Sequence, residues 1–265
     1  MQDFICTTCG IQYEPADKAP EHCPICEDER QYLNPGGHSF TSLEQVNRQH
    51  KNVIEQVTPT IYAIYSTPTF AIGQRAHLVL TPGGNILWDC ITNIDSSTIS
   101  LINALGGIKA IAISHPHFYS TMVEWSKAFN APLYINEADR VWLGRTGEKM
   151  IFWQQEATLW DGIKLVQCGG HFEGSAVMHL PGNGGALFAG DTLQVAPDLK
   201  TVSFMYSYPN LVPLAAPAIN RIEKSLEKLE YERVYGAFGR YLLHNAKASV
   251  AWSIERYRKI YSKDN

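Results

Sequence analysis

Hydrophobic residues change their spacing along the chain, and the changes mark out its elements. IYAIYS (61–66), RAHLVL (75–80) and NILWDC (85–90) are rich in β-branched and aromatic residues and are broken by Gly and Pro turns, which predicts three strands. SSTISLINAL (96–105) sets serines ahead of its apolar positions and predicts a helix. IKAIAIS (108–114) is a continuous apolar run, the mark of a buried strand. A helix over 121–129, a strand at PLYIN (132–136) and a helix at EADRVWLG (137–144) are expected next. TLWDGIKLVQC (158–168) reads as strands about an Asp-Gly turn, followed by strands at AVMHL (176–180) and ALFAGD (186–191). Ile219, Ile222, Leu226 and Leu229 repeat at helical spacing, ERVYGAF (232–238) reads as a last strand, and Val250, Ile254 and Tyr257 mark the buried stripe of a last helix. Earlier, SLEQVNRQHKNVIEQV (42–57) predicts a short helix or helical connection. Strands and helices thus alternate in two similar halves, which predicts a layered α/β architecture.

Residues 1–35 do not share this pattern. Cys6 and Cys9 lie in CTTCG, and Cys23 and Cys26 in CPIC. Each C-x-x-C forms a tight knuckle, and four thiolates about one ion make a closed tetrahedral site. So short a segment cannot build an adequate core, so the metal is expected to supply its folding energy. Zinc is favoured there, with iron as the alternative. NPGGHS (34–39) reads as the linker, giving a metal ribbon over 1–35 and a main domain over 36–265. Cys90 and Cys168 stand alone, and the pattern as a whole fits reduced thiols.

With 265 residues, 45% hydrophobic and 18% charged, the chain has an ordinary globular composition. Disorder is expected only in the last few residues. A formal charge of −4 with no basic cluster argues against nucleic acid as a partner. No apolar stretch approaches the ~20 residues that span a bilayer, and no secretory pattern is seen, so a cytoplasmic protein is expected.

Three pieces carry chemistry, each just after an expected buried strand. IAISHPHFYS holds His115 and His117, which an extended segment would project to the same side. QCGGHFEGS places His171 in a glycine-rich loop, and ALFAGDT ends a strand on Asp191. Three imidazoles and a carboxylate suit zinc or a similar metal.

In these segments and their order, the chain over roughly 60–260 resembles the metallo-β-lactamase superfamily. The resemblance implies an αββα sandwich with a metal site at one edge between the sheets, and His115, His117, His171 and Asp191 as ligand positions. It departs where that family binds a second metal: Tyr119, Ser120 and Phe238 stand at those places, and His244 is not equated with the lost ligand. These losses fall together while the first-metal histidines remain, which points to one ion, zinc or iron.

Hydrolysis of an ester, thioester, amide or phosphoester by a mononuclear metal-activated water is the leading expectation, with Asp191 as ligand or base. A mononuclear iron oxidoreductase and a non-catalytic metal-binding or interaction module are the alternatives. Tyr119 is expected to offer a catalytic hydroxyl, and Ser120, Arg240 and Tyr206 to touch a small-molecule substrate. Asp89 is expected to serve structure, His179 and Cys168 to pack in the core, and His22 to be unnecessary beside four thiolates. Membrane partners are not expected; a homo-oligomer is compatible with the sequence.

Overall fold

A computed structural model describes residues 1–262; the expected disorder at the end of the chain falls largely outside them. Among these residues, two large sheets face one another. The first has seven strands that lie side by side in chain order: Lys51–Thr58, Ile61–Thr67, Ala76–Val79, Ile86–Trp88, Ala110–Ala112, Leu133–Asn136 and Met150–Trp153. The second has six, also in chain order, from Glu156–Thr158 through Lys164–Gln167, Ala176–Leu180, Ala186–Phe188 and Arg233–Tyr235 to Tyr241–Leu242.

Side-chain alternation sorts the core into layers. Trp88, Ile86 and Ala112 of the first sheet meet Phe188, Met178, Ala176 and Tyr235 of the second, forming the centre. Leu87, Ile111 and Leu133 point the other way, against Ile102 of the helix Ser96–Ala104 and Met122, Val123 and Trp125 of the helix Met122–Phe129. On the far side, Val177, Leu187 and Val234 receive Ile219, Ile222 and Leu226 of the helix Ala216–Leu226, with Val250 and Ile254 of the helix Ala246–Tyr261. The result is the expected four-layer αββα sandwich. No helix of the described residues is long and apolar enough to cross a membrane.

Several local expectations are corrected. The helical reading over 42–57 holds only for Leu43–Gln49, capped by Ser42; Lys51–Thr58 is a strand. Its partner Ile61–Thr67 pairs with it along its length, and that ladder outweighs the polar spacing that suggested a helix. Glu137–Trp142 is a 3-10 helix, not an α-helix. Met205–Ser207 and Val212–Pro213 form a further short antiparallel pair.

Across the linker, Ile5–Cys6 of the cysteine ribbon pairs with Phe40–Thr41. Its buried residues Cys6, Cys9, Ile11, Cys23, Ile25 and Cys26 share one apolar cluster with the helix side of the first sheet. Polar groups fix the seam. Gln12 donates its N–H to the Ser120 carbonyl at 3.1 Å, Thr92 donates its hydroxyl to the Gly10 carbonyl at 3.1 Å, and Arg145 pairs with Asp3 at 2.8 Å.

Candidate metal centre

His115 follows the buried strand Ala110–Ala112, and Pro116–Phe118 is a 3-10 turn rather than the extended segment expected. Pro116 enforces that turn, which still brings the rings of His115 and His117 to 5.2 Å. His171 leaves its strand through Gly169 and Gly170, both at positive φ (68° and 90°), where a Cβ would be strained. Asp191 follows Gly190, also at positive φ, where a side chain would collide with Ser114. Close approach of the two loops therefore requires that glycine.

One ligand atom from each of His115, His117, His171 and Asp191 lies within 4.8 Å of the others, and all four residues are buried. His171 Nε2 is 3.1 Å from His117 Nδ1, and His115 Nε2 is 3.5 Å from Asp191 Oδ2. A tetrahedral ion with bonds of about 2.0–2.1 Å has ligand edges of about 3.3 Å. Among the described residues His115 Nε2 and Asp191 Oδ1 have no hydrogen-bond partner, an arrangement that costs free energy unless a cation fills the space between. Burial holds His115 down to about 3 and His171 to about 4, so the imidazoles are neutral, as ligation requires. Burial pushes Asp191 the other way, to about 6. The donor set fits a metal ion.

Neighbouring groups set the rings. His115 Nδ1 meets Ser114 Oγ at 2.8 Å, and Ser114 N–H donates to Asp89 Oδ1 at 2.7 Å. Asp89 thus ties one strand end to the His115 turn. His171 Nδ1 donates to the Tyr206 carbonyl at 2.8 Å, which fixes its tautomer and leaves Nε2 for the ion.

The four cysteines form a second group. Cys6 Sγ to Cys26 Sγ and Cys9 Sγ to Cys23 Sγ are each 3.6 Å, far longer than a disulfide and close to the ~3.8 Å edge of a tetrahedron with bonds of ~2.3 Å. Burial pushes the Cys9 thiol up while hydrogen bonds from Cys23 and Cys26 hold Cys6 down. Four sulfurs at these distances could hold one metal ion in a tetrahedron.

Other expected site residues lie elsewhere. Tyr119 is buried and its hydroxyl donates to the Asp139 carbonyl at 3.0 Å, so it is not the free hydroxyl expected. Ser120 is also buried; its hydroxyl donates to the Cys90 carbonyl, and its own carbonyl seats the ribbon. Arg240 is exposed and does not line the pocket over the histidines. Tyr206 acts through its carbonyl, and its ring lies 5.6 Å from the Arg30 guanidinium. His179 is buried and bonds the Glu230 carbonyl at 2.8 Å, Cys168 is buried, and His22 is exposed beside Glu27.

Above the histidines lies a pocket of about 270 Å³ lined by His117, His171, Asp191, Ala71, Ile72, Tyr208, Pro209, Phe238 and two ribbon residues, Gln31 and Tyr32. The sequence reading missed the ribbon's share, since no motif marks EDERQY after the second knuckle. Arg30 belongs to the same stretch. Its guanidinium donates to the His171 carbonyl at 3.3 Å, pairs with Asp28 at 2.7 Å and lies 3.8 Å over the Phe172 ring.

No family model matches the chain. Over its whole length it is 45% identical to the uncharacterized protein YmaE of Bacillus subtilis (strain 168), covering 98% of that protein. The chain belongs to the YmaE family. Among solved structures, it resembles the DIM-1 metallo-β-lactamase at a TM-score of 0.57 and 17% identity, over 79% of this chain and 98% of that one. A metallo-β-lactamase from Pontibacter korlensis matches at 0.56 and 14%, over 81% and 100%. A chemotaxis sensor, ODP, crystallised as a peroxy diiron species, matches at 0.50 and 17%, over 72% and 88%. This YmaE-family chain therefore has the metallo-β-lactamase fold, with a four-cysteine group at its N-terminus.

Proposed function

We propose that the protein is a metal-dependent hydrolase with one ion at His115, His117, His171 and Asp191 and a structural ion, zinc by preference, at Cys6, Cys9, Cys23 and Cys26. The observation that carries this reading is a buried set of three neutral imidazoles and a carboxylate at the base of an open pocket. An ion held there supplies Lewis acidity and lowers the pKa of water from 15.7 toward about 7. The chain does the rest. Asp191, with its unpartnered Oδ1, serves either as a ligand of the ion or as the base that takes the proton of an attacking water, and its main-chain carbonyl is steadied by the Tyr208 hydroxyl at 3.3 Å. Phe238, Ile72 and Tyr32 give the pocket apolar and aromatic walls. The substrate is a small molecule with an ester, thioester, amide or phosphoester bond.

Iron at the same residues, used in an oxidation, is the second reading, favoured by the likeness to the ODP fold. Elemental analysis of protein purified without added metal, followed by panels of esters, thioesters and phosphoesters, separates the two. Zinc with turnover that disappears in His115→Ala supports hydrolysis. Iron with oxygen uptake supports oxidation, and turnover persisting in metal-free protein overturns both.

A further inference from the structure

Gln31 is 4% exposed and lines the pocket together with His117, His171 and Asp191. Its main chain is fixed on both sides: its N–H donates to the Asp28 carbonyl at 3.0 Å, and its carbonyl accepts from Asn210 Nδ2 at 2.9 Å. The side-chain carboxamide, by contrast, makes no hydrogen bond among the described residues, and its Oε1 is buried without a partner there. A buried amide left this way is unfavourable and is the natural place for a ligand's polar group to bind.

The remaining walls narrow the ligand. Tyr32, Ile72, Pro209 and Phe238 are apolar or aromatic, and the lining holds neither Lys nor Arg. Arg30, next to Gln31, does not line the pocket and is engaged by Asp28 and the Phe172 ring. A negatively charged substituent lodged against these walls, away from an ion at the histidines, would lose water and gain no counter-charge from them.

We propose that Gln31, supplied by the cysteine ribbon, is a substrate-binding residue of the metal pocket, and that the substrate is a small uncharged ester, thioester or amide whose carbonyl or N–H meets that carboxamide. This rests on the hydrolase reading for the bond that is broken; the binding role of Gln31 does not. The ribbon is then one wall of the substrate site as well as a metal-held fold element.

The test uses full-length, metal-loaded protein and two readouts. Turnover is compared for 4-nitrophenyl butyrate and 4-nitrophenyl hemisuccinate, which differ by a remote carboxylate. Binding of benzamide is followed separately by protein-observed NMR. Gln31→Met keeps the length of the side chain and removes the amide; Gln31→Glu keeps the shape and adds charge. The expected result is at least about a tenfold preference for the butyrate and about a tenfold rise in KM in Gln31→Met, with kcat changed less. Benzamide affinity should fall by a similar factor in both variants, with two metals per chain retained. Equal use of both esters, or unchanged KM and benzamide affinity in both variants, overturns the assignment. If neither ester turns over while benzamide binds in a Gln31-dependent manner, the hydrolase reading fails and the Gln31 assignment stands. Absence of both turnover and benzamide binding overturns both.

Discussion

The Arg30 guanidinium lies 3.8 Å from the centre of the Phe172 ring, and Phe172 immediately follows His171 of the candidate metal centre. The same guanidinium donates to the His171 carbonyl. A ribbon residue therefore braces the metal loop from above, by cation–π attraction and a charge-assisted hydrogen bond. Arg30→Ala should lower stability by about 1–2 kcal/mol and weaken the ion at the three histidines several-fold, leaving the cysteine ion in place. Arg30→Lys should not restore it, because a point charge cannot stack and fork together. Thermal unfolding and a metal titration with chelator competition check both statements; a lysine variant equal to wild type would contradict the planar contact.

The two metal groups should be separable. His115→Ala should leave one metal per chain, in the ribbon, with the fold retained. Cys23→Ser should remove the ribbon ion and loosen the histidine site as well, because the segment 28–32 that follows the knuckle carries Arg30, Gln31 and Tyr32. Native mass spectrometry reads the count directly. A Cys23→Ser protein with an undisturbed histidine site would show that the ribbon and the site are independent.

Acid should release the histidine-site ion in a defined order. Burial sets Asp191 at about 6, so above that pH its carboxylate is ionised and metal affinity is level with respect to this group. Below about pH 6, protons compete for Asp191 and apparent affinity should fall about tenfold per unit. Near pH 4 the fall steepens as His171 begins to accept a proton. In Asp191→Asn the shallow limb between 6 and 4 should be missing from competition titrations.

His77 makes a separate contribution to acid sensitivity. It is buried between the sheets against Phe188, Tyr235 and Tyr241, and burial holds it down to about 3. Its folded pKa lies below the unfolded value near 6.5, so the unfolded chain binds the extra proton between the two. The stability of wild type should be fully present above about pH 6.5 and decline toward pH 3, with up to about 1.4 kcal/mol per unit from this residue. His77→Phe should flatten that limb in chemical denaturation series. An unchanged slope would mean that His77 takes up a proton in the fold.

Much of the molecule was legible in one dimension. Period-2 and continuous apolar runs located the buried strands, and Ile219, Ile222 and Leu226 located the outer helix, because burial on one face imposes a period on sequence. The knuckle cysteines and the HPH, GGH and GD segments were legible for a similar reason: ligands need particular atoms, and their turns need Pro116, Gly169, Gly170 and Gly190. Lys51–Thr58 was misread because a strand on a sheet edge is fixed by its partner and not by its own pattern.

What only the tertiary structure decided is where hydroxyls, amides and guanidinium groups point. Sequence position put Tyr119 and Ser120 beside the histidines, yet packing spent their hydroxyls on the Asp139 and Cys90 carbonyls. Sequence distance hid Arg30, which contacts the His171 loop, and Gln31 and Tyr32, which line the pocket; all three stand well over a hundred residues from His171 and reach it only because the ribbon packs on the first sheet. The sequence alone determined the ligand chemistry and the layers, since both are written in local residue type and spacing. Packing decided the walls of the pocket, since these are contacts between distant segments and leave no period in the chain.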